Sequence, residues 1–144
     1  MACVSTITFA EAAMENIDLE HVPTVALVED DENTREVFRT ILEHTGHRVI
    51  EAGDGRAGVA MIRLELPDIV LLDLGLPVLD GRGVVAALKA DPRTAGVPII
   101  VVTAAAEEHT RRWALHLGCH DFLEKPVELR TLTQAVDRCL NPAA

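Results

Sequence analysis

The stretch Val25-Ala26-Leu27-Val28-Glu29-Asp30-Asp31 decides the fold, because a short apolar run in it ends abruptly in acidic residues. Further apolar runs follow along the chain: Arg48-Val49-Ile50, Ile69-Val70-Leu71-Leu72, Ile99-Ile100-Val101-Val102 and Phe122-Leu123. The runs at 25–28, 69–72 and 99–102 are unbroken series of Val, Ile, Leu and Ala, which is typical of strands buried on both faces of a sheet. The sequence therefore predicts a strand at each of these runs.

Helical patterns of apolar residues lie between the runs. One apolar stripe at helical spacing comprises Val37, Phe38, Ile41 and Leu42, and Gly46 follows where a helix C-cap often lies. A second stripe, near the end of the chain, comprises Leu129, Leu132, Ala135, Val136 and Cys139. Strands that alternate with helices at this spacing form parallel sheets with helices on both faces. We therefore expect an α/β fold with a doubly wound five-stranded parallel sheet, a three-layer (βα)5 sandwich.

Length and composition restrict the classes of function. The 144 residues suit one domain, and 13 Lys+Arg against 23 Asp+Glu give a net charge of −10. This charge argues against a nucleic acid or an anionic membrane as the direct partner. No apolar run approaches the ~20 residues of a membrane helix, and the first residues lack the basic start of a signal peptide. Cys3, Cys119 and Cys139 are too few and too scattered for a disulfide framework, so we expect a cytoplasmic protein.

Residues 1–22 differ from the rest of the chain, and we expect them to be an N-terminal extension of a domain at 23–144. The acidic residues of this segment are Glu11, Glu15, Asp18 and Glu20, and it has no Lys or Arg. Thr8 and Glu11 have the spacing of a capping box. The apolar residues that share one helical face are Phe9, Ala12, Ala13 and Ile17. The pattern predicts a short amphipathic helix, which packs on its own domain, frays as a terminal tail or binds a partner.

Residues with chemically active side chains follow the predicted strands at their carboxyl ends, where ligands bind in sheets of this kind. Glu29 and Asp30 follow the first strand, Asp73 the third, Thr103 the fourth and Lys125 the fifth. Converging carboxylates repel one another, and a hard cation with a preference for oxygen ligands, such as Mg²⁺, relieves this repulsion. A carboxylate also attacks phosphorus when a cation, an ammonium group and a hydroxyl neutralise the charge. The arrangement predicts a phosphoryl acceptor at Asp73.

Several motifs in their order along the chain resemble the receiver domain of two-component response regulators. They are Leu27-Val28-Glu29-Asp30-Asp31, Leu71-Leu72-Asp73-Leu74-Gly75-Leu76-Pro77 with Asp80-Gly81, Val101-Val102-Thr103-Ala104, and Phe122-Leu123-Glu124-Lys125-Pro126. The resemblance extends from about Val25 to Leu140 and implies a flavodoxin-like sheet. It also implies a phosphorylation-dependent signalling protein that takes a phosphoryl group from a sensor histidine kinase or a histidine phosphotransfer protein.

The resemblance assigns the acceptor and the metal ligands to individual residues. Asp73 would be the phosphoacceptor, and Asp30 and Asp73 would bind Mg²⁺ (or Mn²⁺) directly. The backbone carbonyl of Gly75 would be a further ligand, and Glu29 would act through water. Asp31 falls outside the acidic pair, and we expect it to cap the first helix.

The resemblance also assigns the phosphoryl contacts and the switch. Lys125, Thr103 and Ala104 would bind the phosphoryl group, and Thr103 would couple to Phe122 as the switch. Phe122 replaces a Tyr that is frequent in the family, which removes a hydroxyl but keeps the ring. Gly75 places no side chain beside the acceptor, where the family often has a longer one.

The expected partners follow from the resemblance and from the end of the sequence just after the last predicted helix. We expect no attached output domain, and therefore signalling by protein–protein interaction or by phosphorelay, with no direct DNA binding and no membrane contact. A downstream protein would bind the face formed by the fourth helix, the fifth strand and the fifth helix. The domain would not be a conventional enzyme, since it would take phosphoryl groups from phosphohistidine or small donors and then dephosphorylate itself.

Two alternative functions remain from the sequence. Gly53, Gly55 and Gly58 form a G-x-G-x-x-G pattern between a predicted strand and a helix, with Asp73 twenty residues after Gly53, as in a dinucleotide-binding domain. The preceding strand is only partly apolar, however, and suits the edge of a sheet. The second alternative is a Mg²⁺-dependent aspartyl phosphohydrolase, which typically has another acid two residues after its nucleophile, where this chain has Gly75.

Overall fold

Strands and helices alternate along the whole described part of the chain. The structure is a computed structural model and describes residues 21–142. Its elements are β1 (Thr24–Val28), α1 (Glu32–His44), β2 (Arg48–Ala52), α2 (Gly55–Glu65), β3 (Ile69–Leu72), α3 (Gly81–Ala90), β4 (Ile99–Thr103), α4 (Glu108–His116), β5 (Asp121–Glu124) and α5 (Leu129–Leu140). Each predicted strand is confirmed to within a few residues. The helix predicted in residues 1–22 falls within residues 1–20 and so lies outside the described residues.

The strands form one parallel sheet in the order β2-β1-β3-β4-β5. The chain therefore winds outward in one direction from β1 and in the other from β3, which confirms the doubly wound fold. Val28 and Leu72, the last residues of β1 and β3, are paired in register. The residues that follow these two strands consequently lie side by side at the carboxyl edge of the sheet.

Helices cover both faces of the sheet and divide the core into two layers. On one face, α1 and α5 contribute Phe38, Leu42, Leu132, Ala135, Val136 and Cys139, which pack against Val25, Leu27, Ile69, Leu71, Ile100 and Val102. On the other face, α2, α3 and α4 pack mainly through Val59, Ile62, Val84, Val85, Leu88 and Ala114. Among the helices of residues 21–142, none has the length and hydropathy of a membrane-spanning segment.

The apolar stripes of α1 and α5 are narrower than the sequence predicts. Phe38 and Leu42 are buried, whereas Val37 is 54% exposed and Leu129 is 56% exposed. Val37 is one position before Phe38 and points about 100° away from it, off the face that packs on the sheet. Leu129 shares the face of Leu132 but is the first residue of α5, so it lies at the exposed end of that stripe. Both residues therefore remain on the surface.

The helices that follow β1, β2 and β3 begin at aspartate N-caps. Asp31 accepts a hydrogen bond from the Thr34 N–H, which confirms its predicted role, and also from the Thr34 hydroxyl, and these bonds lower the pKa of its carboxyl. Asp54 and Asp80 cap α2 and α3 in the same way. A capping carboxylate satisfies N–H groups that have no partner within the helix, so these residues fix the start of each helix at the carboxyl edge.

The glycines of the G-x-G-x-x-G pattern are explained by close packing within the chain. A Cβ on Gly55 would lie 1.7 Å from the Leu79 carbonyl oxygen, and one on Gly58 would lie 2.8 Å from Val28 Cγ1. The strand before this pattern, β2, is at the edge of the sheet, as its mixed composition predicts. These glycines let α2 approach both the loop after β3 and the centre of the sheet.

We expect Gly55→Ala to lower the free energy of unfolding by about 3 kcal/mol, because its methyl group would overlap a backbone oxygen that has little room to move. Gly96→Ala is the matched control, since no atom lies within 4 Å of its added Cβ. Its free energy of unfolding should stay within about 0.5 kcal/mol of the wild-type value. Urea unfolding measures both changes, and equal midpoints for the two variants would contradict this account of the packing.

Candidate functional site

The carboxyl edge of the sheet holds two acidic residues in fixed positions. Glu29 follows β1, and its N–H donates a hydrogen bond to the Ala52 carbonyl at 3.1 Å. Asp73 follows β3, and its N–H donates to the Val28 carbonyl at 3.0 Å. The hydrogen-bonding pattern of the sheet thus extends one residue beyond each strand. It places the Glu29 and Asp73 side chains on neighbouring strands at the same height.

Glu29, Asp30 and Asp73 form an acidic cluster. One carboxylate oxygen from each of them lies within 4.8 Å of those of the other two. Glu29 is buried, Asp73 is half-buried and Asp30 is exposed. An all-oxygen donor set with one side open to water is the environment that Mg²⁺ prefers. The residues present therefore fit a hard divalent cation.

Lys125 bridges two members of the acidic cluster. Its Nζ donates a hydrogen bond to Glu29 Oε1 at 2.5 Å and a longer one to Asp73 Oδ2 at 3.4 Å. Burial alone would lower the pKa of Lys125, but the hydrogen bond to Glu29 and the charges of Asp73 and Glu29 outweigh this effect and raise that pKa. Lys125 is therefore a cation that the acidic cluster itself stabilises.

The carboxyl group of Glu29 is in an unfavourable position for a charge. Burial raises the pKa of Glu29 above its ordinary value, and the neighbouring Asp73 carboxylate acts in the same direction. The hydrogen bonds from Lys125 and from the Asp31 N–H, which lies 3.0 Å from Glu29 Oε2, oppose this rise without cancelling it. The cluster carries more negative charge than one ammonium group neutralises, so a bound cation would stabilise it further.

Thr103 and Ala104 lie at the same edge, at the end of β4. Thr103 is buried, and its hydroxyl oxygen accepts a hydrogen bond from the Ala105 N–H at 3.2 Å. Its carbonyl oxygen accepts a hydrogen bond from the Lys125 N–H at 3.0 Å, which connects the end of β4 to the start of the loop after β5. Ala104 is exposed, and the Lys125–Pro126 peptide bond is cis.

The loop after Asp73 contacts the Asp73 carboxylate through its backbone. The Gly75 N–H donates a hydrogen bond to Asp73 Oδ1 at 3.2 Å, so each Asp73 oxygen has a different neighbour, Gly75 or Lys125. No atom lies within 4 Å of the position that a Cβ on Gly75 would take. Val78, further along this loop, has a positive φ of 70° and is 71% exposed.

Two arginines connect α4 to its neighbours. The Phe122 ring is buried, with the Arg111 guanidinium 4.9 Å from its centre, and Arg111 also donates to the Phe122 carbonyl at 3.4 Å. The Arg82 guanidinium, from α3, lies 4.5 Å from the centre of the Trp113 ring and donates to the Thr110 hydroxyl at 3.2 Å. Arg111 therefore contacts the predicted switch residue Phe122 both at its backbone carbonyl and over one face of its ring.

Arg35 is a site residue that the sequence analysis does not identify. Its Nη1 donates to the carbonyl oxygens of Glu29 at 2.7 Å and Asp30 at 3.3 Å, and its Nε lies 3.4 Å from Glu51 Oε1. It fixes the backbone of the two acidic residues to β2. The sequence does contain a signal for this role, namely a basic residue one turn after the helix N-cap at Asp31. A side chain at that position points back toward the preceding loop.

The predicted site residues thus fall into two groups. Glu29, Asp30, Asp73 and Lys125 are in direct contact or within a few ångströms of one another. Thr103, Ala104 and Gly75 border this cluster on the same edge of the sheet, and Phe122 lies in the core beside α4.

Comparisons with known sequences give one family. The family model for the response regulator receiver domain matches residues 25–137. Protein PilH of Pseudomonas aeruginosa is 34% identical to this chain over 116 residues, which are 81% of this chain and 96% of PilH. Several other curated relatives are longer, and the chain spans about half of their length.

Solved structures share the fold. Chemotaxis protein CheY4 of Vibrio cholerae has a TM-score of 0.78 and 25% identity, over 83% of this chain and 100% of that one. The receiver domain of the sensor histidine kinase PA1611 from Pseudomonas aeruginosa PAO1 has a TM-score of 0.77 and 31% identity, over 84% of this chain and 99% of that one. The PA1611 structure contains a magnesium ion in its active site cleft.

The family, the fold and the acidic cluster agree with one another. Receiver domains act in phosphorylation-dependent signalling, interact with histidine kinases or phosphotransfer proteins, and normally bind Mg²⁺. The five-stranded doubly wound sheet is the CheY-like, flavodoxin-like fold that the sequence predicts. The match covers most of the chain, from the first strand into the last helix. The chain therefore belongs to the response regulator receiver domain family of two-component systems.

Proposed function

We propose that Asp73 accepts the phosphoryl group and that the acidic cluster around it holds Mg²⁺ (or Mn²⁺). An Asp73 carboxylate oxygen attacks the phosphorus of a phosphohistidine, and the new O–P bond forms as the N–P bond breaks. The electron pair of the N–P bond stays on the imidazole, which leaves as a neutral ring because its other nitrogen already carries a proton. Asp30, Asp73 and the Gly75 carbonyl would hold the cation, with Glu29 acting through water. The cation supplies positive charge for the oxygens of the transferring group.

The position of Lys125 carries this proposal. Its Nζ contacts both Glu29 and Asp73, at 2.5 and 3.4 Å, and so lies where negative charge would increase when Asp73 is phosphorylated. An ammonium group fixed in place before the reaction stabilises that charge without reorganising. Thr103 and Ala104 border the same space and would bind the other phosphoryl oxygens.

Neither alternative function explains this arrangement. Gly55 and Gly58 of the dinucleotide pattern are needed for the packing of α2, and that pattern has no part for Glu29, Thr103 or Lys125. An aspartyl phosphohydrolase of the usual kind needs a second acid two residues after Asp73, and Gly75 has no side chain. Phosphoryl acceptance at Asp73 gives a part to Glu29, Thr103 and Lys125.

The phosphoryl donor would approach from the side of α1. An apolar groove of about 500 Å³ beside Lys125 is lined by Val37, Phe38, Pro126 and Val127, among others. Val37 is on the surface there, and an exposed apolar residue next to a reactive group favours contact with another protein. A sensor histidine kinase or a phosphotransfer protein is therefore the proposed donor.

The proposed output surface is formed by α4, β5 and α5. The buried Phe122 ring belongs to β5 and is held by Arg111 of α4, so a movement at Thr103 that shifts the ring would also shift α4. The net charge of −10 favours a protein over DNA as the target, and a cytoplasmic location fits such a partner. Residues 23–144 would form the signalling domain, with residues 1–22 as its extension.

Incubation with acetyl phosphate and Mg²⁺ should add one phosphoryl group to the wild-type chain and none to Asp73→Asn, as read by intact mass. The amide of the variant keeps the size of the side chain but is a poor nucleophile toward phosphorus. Asp80→Asn is the control, because Asp80 lies in the same loop but caps α3, and it should be labelled like the wild type. Labelling that persists in Asp73→Asn would move the acceptor to another residue.

Mg²⁺ should raise the unfolding temperature of the wild-type chain, because an ion that binds only the folded state stabilises it by mass action. Asp30→Ala should raise the unfolding temperature without Mg²⁺, since it removes one of the crowded carboxylates, and should abolish the Mg²⁺ effect. Thermal unfolding without Mg²⁺ and with an excess of about 10 mM Mg²⁺ measures both changes in unfolding temperature. An equal Mg²⁺ shift in Asp30→Ala and the wild type would place the metal elsewhere.

Trp113 should report the switch by its fluorescence. It lies half-buried on α4 against Arg82, so a repacking of α4 would change its surroundings. Mg²⁺ alone should alter the emission little, whereas Mg²⁺ with beryllofluoride, a phosphoryl mimic, should alter it clearly. Thr103→Val should still bind the mimic but give a smaller change. An unchanged wild-type spectrum at saturating mimic would exclude α4 as the moving element.

A further inference from the structure

The Arg35 guanidinium holds the turn that follows β1. Its Nη1 donates to two successive carbonyl oxygens, that of Glu29 at 2.7 Å and that of Asp30 at 3.3 Å. Carbonyl oxygens that converge on one point repel each other unless a donor lies between them. The Arg35 side chain is 20% exposed, so these hydrogen bonds form in a partly buried place, where they are stronger than in open water. The backbone of this turn therefore depends on Arg35 for its conformation.

The end of β2 keeps this guanidinium in place. Arg35 Nε lies 3.4 Å from Glu51 Oε1, and the other Glu51 oxygen accepts a hydrogen bond from Arg39. A Cβ on Gly53, just after β2, would lie 3.1 Å from Arg35 Nη1, which is closer than a Cβ normally approaches another atom. The first glycine of the G-x-G-x-x-G pattern thus leaves space for Arg35, and Glu51 orients it.

Asp30 is the member of the acidic cluster that depends most on this turn. The N–H groups of Glu29 and Asp73 continue the hydrogen bonds of the sheet, and the carboxylates of both residues bind Lys125. Asp30 is exposed, and in the described part of the chain its one hydrogen-bond partner is Arg35, at its carbonyl oxygen. The backbone that places the Asp30 carboxylate near the other two is therefore held by Arg35.

We propose that Arg35 is a positioning residue for the divalent cation and acts by holding the Asp30 carboxylate where the cation binds. This role rests on the metal site proposed above, in which Asp30 is a direct ligand. Without Arg35 the turn would relax, and Asp30 would have to be ordered when the cation binds, which costs free energy. Residues that orient metal ligands typically change the metal affinity by about ten- to a hundredfold. Because Arg35 acts through the backbone, we expect an effect at the lower end of this range.

The sign of the effect separates positioning from charge alone. A guanidinium near a cation site repels the cation, so the removal of Arg35 would tighten cation binding if only its charge mattered. Loss of positioning weakens cation binding instead. Arg39 carries the same charge one turn further along α1, and within the described residues its hydrogen bond and its ion pair are with Glu51. Arg39 is therefore the matched control for the loss of a charge and of a contact with Glu51.

Binding of Mn²⁺ alone, followed by the electron paramagnetic resonance signal of the free ion, measures the Kd without any phosphorylation. Arg35→Ala and Arg35→Met both lack a donor and should raise the Kd about tenfold. The Met variant keeps a long apolar stem, so it provides the test if the Ala variant does not fold. Arg35→Lys should restore part of the affinity, to about threefold above the wild-type Kd, because an ammonium group can still donate to the carbonyls. Arg39→Ala should leave the Kd within about twofold of the wild-type value.

Asp30→Ala distinguishes failure of this role from failure of the metal site, and it should abolish Mn²⁺ binding. A wild-type chain that does not bind Mn²⁺, or an Asp30→Ala chain with the wild-type Kd, would overturn both the metal site and the role of Arg35. Loss of binding in Asp30→Ala, together with a Kd of the donor-free Arg35 variants equal to or below the wild-type value, would overturn the role of Arg35 alone. An equal rise in the Kd of Arg39→Ala would overturn it as well, because the effect would then come from the contacts with Glu51.

Discussion

Like charges meet at the carboxyl edge of the sheet, and the architecture around them serves to hold them there. Three carboxylates lie within 4.8 Å of one another, and the ammonium group of Lys125 neutralises only part of their charge. Such a cluster is unfavourable, so the surrounding backbone has to hold the side chains in place. The register of β1 with β3, the aspartate caps at the helix starts and the contacts of Arg35 each restrict this backbone. The buried strands β1 and β3 thus support the crowded carboxylates.

The sequence predicts the sheet and the acidic edge because both depend on local patterns. Val25–Val28 and Ile69–Leu72 are buried strands whatever their partners are, and a polar residue directly after such a strand must lie at the sheet edge. The family resemblance supplied the roles of the individual residues. The close packing of Gly55 and Gly58 could not be predicted from a local pattern, because the G-x-G-x-x-G pattern suits a nucleotide-binding turn equally well. Only the tertiary contact with Leu79 and Val28 distinguishes the two explanations.

The partners of the arginines could not be predicted in this way. Arg35, Arg82 and Arg111 have long side chains that reach partners on other elements, and helical spacing does not reveal which partner each one finds. The same limit applies to Val37, whose place in an apolar stripe predicts burial although α1 packs through Phe38 and Leu42 alone. Contacts between elements depend on the exact rotation of each helix, which a periodic pattern defines only to within about one residue.

The backbone at Val78 has a consequence for affinity. A β-branched residue with a positive φ is less stable than the same residue in an extended conformation by about 1–2 kcal/mol. This loop follows β3 and Val78 is exposed, so a protein that binds here, lets Val78 adopt an extended φ and keeps the other contacts of the loop would gain that free energy on binding. A gain of about 1.4 kcal/mol corresponds to a tenfold lower Kd. The loop can therefore favour one partner over another through the conformation that each partner accepts, with no additional contact between the two proteins.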